Sequence, residues 1–382
     1  MEEKQLLMIP GPTPVPQSVL LAGARPMINH RGPEFKVAIE ECTAGLKRVF
    51  RTRHEVFILT CAGTGGLEAA VVNMLSPGDK VLSVSIGVFG DRFAAIASTY
   101  GVNVEKLAFD MGAAADPKLI EKRLKADAGK EIRAVFVTHN ETSTGVTNDL
   151  RAISAVVREH GALLLVDAIS SMLAMDCDMD GWRLDVVVAG SQKAFMIPPG
   201  LSFVAINDRA AEAMKTAKIP RFYFDLGKAR DYLATGETPW TPAVPLVLQL
   251  REALRLLEKE GFDNCLKRHA RLARATREGV KALGLKLLAD ERVASNAVTS
   301  VRRPDRIDVS ALRKLMREKY RVVLAGGQGS LKNDIFRIGH LGLVNEGDIV
   351  AALGLLGLAM KDMGVKLDPG AGAAAALKVF GE

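Results

Sequence analysis

ALLLVDAISSMLAMDCDMDGWRLDVVVAGSQKAFMIPPGLSFVAIN, residues 162–207, contains three short apolar runs separated by polar and glycine-bearing turns. The runs at 162–168, 184–190 and 201–207 are rich in Leu, Val, Ile and Phe. Continuous apolarity over so few residues is what a strand covered on both faces requires. Working outward, four more runs share this texture: EVFILT (55–60), KVLSVSI (80–86), VEKLAF (104–109) and AVFVTHN (134–140). Helical patterns lie between most of them. The alternation predicts an α/β fold whose large domain holds a seven-stranded, mostly parallel sheet, with ligands at the strand ends.

After residue 208 the pattern changes. A proline-rich connector, ETPWTPAVP (237–245), leads into a long amphipathic helix pair near 246–283. Then come LKLL, AVTSVRR, a helix around 310–319, VVLA, the glycine loop AGGQGS, IFRIGHLG and a helix near 346–363. These predict a smaller C-terminal α/β domain. The division is an N-terminal segment at 1–20, a large domain at 21–250 and a small domain at 251–382. The tail, DPGAGAAAALKVFGE, reads as a peripheral extension.

At 382 residues, 48% hydrophobic and 25% charged, the chain has the length and balance of a soluble multidomain protein, which excludes disorder, collagen and coiled coil. Net charge is only +7, and basic residues are dispersed. The densest basic run, 266–277, has helical spacing and reads as a solvated face; with aromatics at 5%, a nucleic-acid groove is not expected. Cys42, Cys61, Cys177 and Cys265 lie too far apart for a zinc motif, so no metal is expected and a reducing, cytoplasmic location is. The acidic, proline-broken N-terminus does not read as a signal peptide, and the longest apolar run, 349–360, is shorter than the ~20 residues of a membrane span.

Four features carry chemistry. Ser191-Gln192-Lys193 follows the strand LDVVVAG directly. A lysine at the mouth of a buried sheet either snorkels to water or, desolvated, becomes an amine nucleophile toward a carbonyl. Asp167 ends the strand ALLLVDA; it either caps the next turn or pairs with a protonated pyridine nitrogen. Cys61-Ala-Gly-Thr-Gly-Gly66 sits between a strand and a helix. It is either a tight turn or a phosphate cradle of backbone amides, and it lacks the Gly-Lys-Ser/Thr of a Walker loop. Arg337 alternates with apolar neighbours in IFRIGHLG, and its guanidinium suits a substrate carboxylate. Together the four describe pyridoxal phosphate chemistry.

The chain resembles the class V aminotransferases of pyridoxal-phosphate fold type I, in particular the alanine–glyoxylate and serine–glyoxylate (serine–pyruvate) group. The resemblance spans nearly the whole chain. Its landmarks are PGPTPVP (10–16), NHRGPEF (29–35), AGTGGLEAA (62–70), GVFGDR (87–92), HNETSTG (139–145), VDAISS (166–171), GSQKAFMIPPG (190–200), TPWTP (238–242) and FRIGHLG (336–342). It implies that Lys193 carries the internal aldimine, Asp167 pairs with the pyridine nitrogen and Phe89 stacks on the ring. Ala62, Gly63, Thr64 and Gln192 would hold the phosphate, and Thr142 the phenolic oxygen. Thr238 and Thr241 match positions that reach the neighbouring subunit's phosphate, implying a homodimer with shared sites. Arg337 would bind the α-carboxylate near Gly11. Phe89 departs from the tryptophan that relatives often carry.

The implied reaction is ping-pong transfer of an amino group from a small amino acid, alanine or serine, to a 2-oxo acid, glyoxylate or pyruvate. A small donor is expected because no second arginine for a side-chain carboxylate is evident. A cysteine desulfurase would need a nucleophilic cysteine in AGGQGSLKND (325–334), which has none. A 2-aminoethylphosphonate or phosphoserine transaminase, with Arg31 as an extra basic contact, stays open. So does a non-catalytic hydrogenase-associated subunit, although Lys193 is intact.

Overall fold

The computed structural model describes residues 5–305 and 307–382; residues 1–4 of the N-terminal segment lie outside this range. Strands run in chain order as β1 (Leu6–Met8), β2 (Glu55–Leu59), β3 (Lys80–Ser85), β4 (Asn103–Ala108), β5 (Ile132–Thr138), the hairpin β6 (Asn140–Glu141) and β7 (Val146–Thr147), β8 (Leu163–Asp167), β9 (Val186–Gly190), β10 (Ser202–Ile206), β11 (Val298–Arg302), β12 (Val322–Gly326) and β13 (Ile335–Gly339). Helices are α1 (Gln17–Gly23), α2 (Pro33–Phe50), α3 (Gly63–Met74), α4 (Val88–Thr99), α5 (Pro117–Lys125), α6 (Leu150–His160), α7 (Asp208–Thr216), α8 (Leu226–Leu233), α9 (Val244–Glu260), α10 (Phe262–Ala282), α11 (Val309–Glu318), α12 (Glu346–Asp362) and α13 (Ala371–Gly381).

The seven apolar runs form one seven-stranded sheet in the order β2-β10-β9-β8-β5-β3-β4. Strand β10 alone runs antiparallel to both neighbours, β9 and β2. Side chains alternate between two cores: Val187 and Ala189 of β9 face one, Val186 and Val188 the other. Strand β5 divides likewise, with Val135 and Val137 opposite Ala134 and Phe136. Burial on both faces is why these strands lack a polar stripe.

The smaller sheet is ordered β1-β12-β13-β11, and its core lies under α10 to α13. Its edge strand β1 comes from the start of the chain and pairs in parallel with β12, Leu6 against Val322 and Met8 against Leu324. LKLL contributes only an isolated bridge, Leu287 to Val301. The tail is no loose appendage. Helix α13 buries Gly372, Ala376 and Val379 in the small core, and Gly372 lets it approach α10, since a Cβ there would lie 2.9 Å from Leu283.

Candidate active site

The C-terminal ends of β2, β3, β5, β8 and β9 converge on one edge, the place where open α/β sheets bind ligands. Strand β8 ends on Asp167, which is 4% exposed and accepts at Oδ1 from the Ile169 amide at 2.9 Å. Its parallel neighbour β9 ends at Gly190, three residues before Lys193. Lys193 is only partly exposed, and its Nζ donates to the Pro10 carbonyl at 2.5 Å. Burial pulls this ammonium down to about 8 despite the attraction of Asp167. Burial likewise pushes Asp167 up to about 7; the Ile169 amide and Lys193 pull the other way, while Glu141 adds to the rise. Amine and carboxylate therefore sit in one poorly solvated pocket.

The glycine turn follows β2. Helices α5, α6, α7, α8 and α11 are each capped by an Asp or Asn side chain, whereas α3 starts at Ala62 without any side-chain cap. Its first amides are oriented for an anion. Gly63 is also needed for close packing, because a Cβ would stand 2.6 Å from Ile169 Cδ1. Gln192 reaches the same region from β9, and its Oε1 is buried with no hydrogen-bond partner among the described residues. Turning the amide over would present its NH2 instead.

Phe89, on the first turn of α4, is partly buried, with the Arg92 guanidinium 4.7 Å from its ring centroid. Thr142 donates its hydroxyl to Ser170 Oγ at 2.8 Å, and Ser170 is bound in turn to Asn140. Strand β13 brings Arg337 to the same turn, 5% exposed. Two donors hold it on scaffold carbonyls: Nε to Gly326 O and Nη1 to Thr142 O, both 2.8 Å. Its remaining N–H groups are left for a ligand. Burial lowers its pKa to about 10, which leaves it cationic near neutrality.

Residues 10–13 strap this cluster. Gly11 adopts φ +125°, and a Cβ on it would lie 2.7 Å from Lys193 Nζ, so glycine is required by both conformation and space. Thr13 binds Gln192 O through its amide and Lys193 O through its hydroxyl, at 3.1 and 2.9 Å. Thr238 and Thr241 line a hollow with Thr60, Tyr223 and Trp240 at the end of β2, and Thr241 is exposed. Arg31 pairs with Glu237 and lies 5.3 Å from the Tyr232 ring centroid. Sequence reasoning passed over Thr13, Ser170 and Glu141.

These groups suit a phosphorylated pyridine aldehyde: an uncapped helix start for a phosphate, a buried carboxylate for a ring N–H, and a desolvated amine for the aldehyde. A family profile described as Aminotransferase class-V matches residues 9–340. The chain belongs to the class-V aminotransferases. It is 46% identical, over all 382 residues and the whole of the relative, to the soluble hydrogenase 42 kDa subunit of Anabaena cylindrica. It is 37% identical to serine–glyoxylate aminotransferase of Arabidopsis thaliana, covering 97% of this chain and 94% of that one. The crystal structure of ureidoglycine–glyoxylate aminotransferase from Bacillus subtilis superposes with a TM-score of 0.94 at 29% identity, covering 100% of this chain and 99% of that one. Class-V aminotransferases work with pyridoxal phosphate, and this chain is a pyridoxal-phosphate-dependent transaminase of the same fold. Among the described residues no helix is long and apolar enough to cross a membrane.

Proposed function

We propose that this aminotransferase moves the amino group of alanine or serine to glyoxylate or pyruvate in two half-reactions that share Lys193. The observation that carries the reading is the desolvated Lys193 amine in one pocket with buried Asp167 and Arg337. Pyridoxal phosphate, when bound, supplies an aldehyde for the amine and an electron sink for the charge developing at the substrate α-carbon.

The residues proposed to hold it are Ala62, Gly63, Thr64 and Gln192 at the phosphate, Phe89 at the ring face, Thr142 at the phenolic oxygen and Asp167 at the ring nitrogen. Asp167 keeps that nitrogen protonated by ion pairing. With the cofactor bound and its amine released to the pocket, Lys193 would act as general base, taking the α-proton of the donor and holding it for return as general acid. Its lowered proton affinity puts a useful fraction of free amine within reach near neutrality. Arg337 orients the α-carboxylate with the donors its scaffold carbonyls leave open, beside the space kept by Gly11. Small donors are favoured because Arg31, the other basic candidate, is already paired with Glu237.

Thr238 and Thr241 are proposed to reach the phosphate of a second subunit in a homodimer with shared sites. The exposure of Thr241 supports this. Four free cysteines support the cytoplasm as the location.

The test is spectroscopic. Purified protein with added pyridoxal phosphate should show the bound cofactor's visible band, lose it on Lys193→Ala, and release pyruvate from alanine when glyoxylate is supplied. A colourless protein that leaves alanine untouched would instead favour a non-catalytic subunit, the reading suggested by the relative named for hydrogenase.

A further inference from the structure

Glu141 is fully buried, at 0% exposure, beside the cluster that the reaction uses. Its carboxylate accepts from Ser143 Oγ at 2.5 Å and from the amides of Ser143, Phe89 and Gly90, each at 3.1 Å. The three amides can only donate, and the Ser143 hydroxyl donates as well; burial raises the Glu141 proton affinity, and these bonds pull it down against that rise. Helix α4 begins at Gly87 without a side-chain cap from its own sequence. Glu141, from the hairpin after β5, takes that place and sets a negative charge at the helix's positive end. The space for it is made by Gly87, where a Cβ would stand 2.6 Å from Glu141 Cγ. Ser143 completes the clasp by accepting from the Val88 amide at 3.1 Å.

The same short turn faces the other way as well. Thr142, between Glu141 and Ser143, gives its carbonyl to Arg337 Nη1 at 2.8 Å. Residues 141–143 thus fasten two things at once: the first turn of α4, which carries Phe89, and the guanidinium of Arg337.

We propose that Glu141 is a positioning residue for amino transfer, fixing the Phe89 ring and the Arg337 guanidinium relative to each other so that cofactor ring and substrate carboxylate keep one geometry. This rests on the roles proposed above for Phe89 and Arg337. Replacing a glutamate that serves stability alone would lower the melting temperature and leave the bound cofactor's environment intact.

The experiment compares Glu141→Gln, Ser143→Ala and Phe89→Ala with wild-type holoenzyme. Glutamine matches glutamate in size but turns an NH2 toward one of the donors whichever way its amide lies. For E141Q the pyridoxal phosphate Kd should rise about tenfold, as expected for losing a charge-assisted hydrogen bond. The visible circular dichroism of the bound cofactor should fall by about half, and KM for the amino donor should rise while kcat drops, all measured well below the melting temperature. S143A should raise the cofactor Kd by about threefold and lower the dichroism less than E141Q does, and it stands in if E141Q fails to fold. The proposal is overturned if E141Q, or S143A in its place, keeps cofactor affinity within about twofold of wild type and leaves the dichroism unchanged while F89A loses both. If F89A also keeps both, the ring-stacking role of Phe89 is what fails, and the proposal falls with it.

Discussion

Asp167 and Lys193 oppose each other in pH, and the sign of each follows from burial. The folded chain holds the Asp167 proton up to about 7, against an ordinary value of 3.8, so its contribution to stability is intact below the ordinary value and is lost as pH rises toward 7. Lys193, lowered to about 8 from 10.5, acts in the opposite sense: stability recovers as pH climbs from 8 through 10.5. Asp167→Asn keeps the oxygen that accepts the Ile169 amide and removes the buried charge. Cofactor-free D167N should therefore be more stable than wild type at pH 7.5, by on the order of a few kcal/mol, and melt higher, with the gap closing toward pH 4. With cofactor present, its transamination should be almost abolished. Melting curves across that range check it, and a variant equally destabilised at both ends would contradict the assignment. Asp167 and Arg337 were legible in the sequence because each interrupts or ends a run of apolar residues, where a charge is conspicuous, and Lys193 because it stands three residues beyond the end of one. Glu141 was not. In HNETSTG it is one polar residue among several, and only folding reveals that amides from positions 89 and 90 converge on it.

At the scale of elements, β8, β9 and β10 were readable because burial on two faces leaves a signature within each strand, whereas the edge strand β4, with no buried residue, was read from its spacing between helices. Strand β1 left none, being three residues whose partner, β12, lies more than 300 positions away. Helix α13 was missed for a related reason: a run of alanines and glycines has little apolar contrast, yet small residues are what let it approach α10 closely. Helix α3 shows how glycines in one turn divide their work. At Gly66 a Cβ would fall 1.9 Å from Ser202 Oγ and 2.8 Å from Val188 Cγ1, both on central strands of the sheet. At Gly63 it would meet Ile169, whose chain end can give way. Gly66→Ala should thus cost about 1–3 kcal/mol of stability as overpacking, seen as a lower denaturation midpoint. Gly63→Ala should change the midpoint less but weaken pyridoxal phosphate binding, because the amides at the start of α3 must shift with Ile169. Equal loss of stability in the two variants, with cofactor affinity unchanged in G63A, would show that the first turn of α3 is only packing.

For the whole molecule, the proposed sharing of Thr238 and Thr241 between subunits makes an expectation that single variants cannot reach. If each site takes its lysine from one subunit and its threonines from the other, Lys193→Ala and the double variant Thr238→Ala/Thr241→Ala are each defective in both sites as homodimers. In a mixed dimer the two defects fall on the same site. Its other site then combines a native lysine with native threonines. Co-refolding equal amounts of the two should give one half mixed dimers, each with one sound site of two, so activity should return to about a quarter of wild type above the small residue left in the threonine variant. Differential affinity tags isolate the mixed species, and its bound cofactor should amount to one equivalent per dimer with full affinity. Threonines serving their own subunit's site would leave every site of the mixed dimer carrying one defect or the other, and mixing would restore nothing. The measurement thus reads the route of the chain around the phosphate from activity alone, and the isolated dimer's stoichiometry checks that association has taken place.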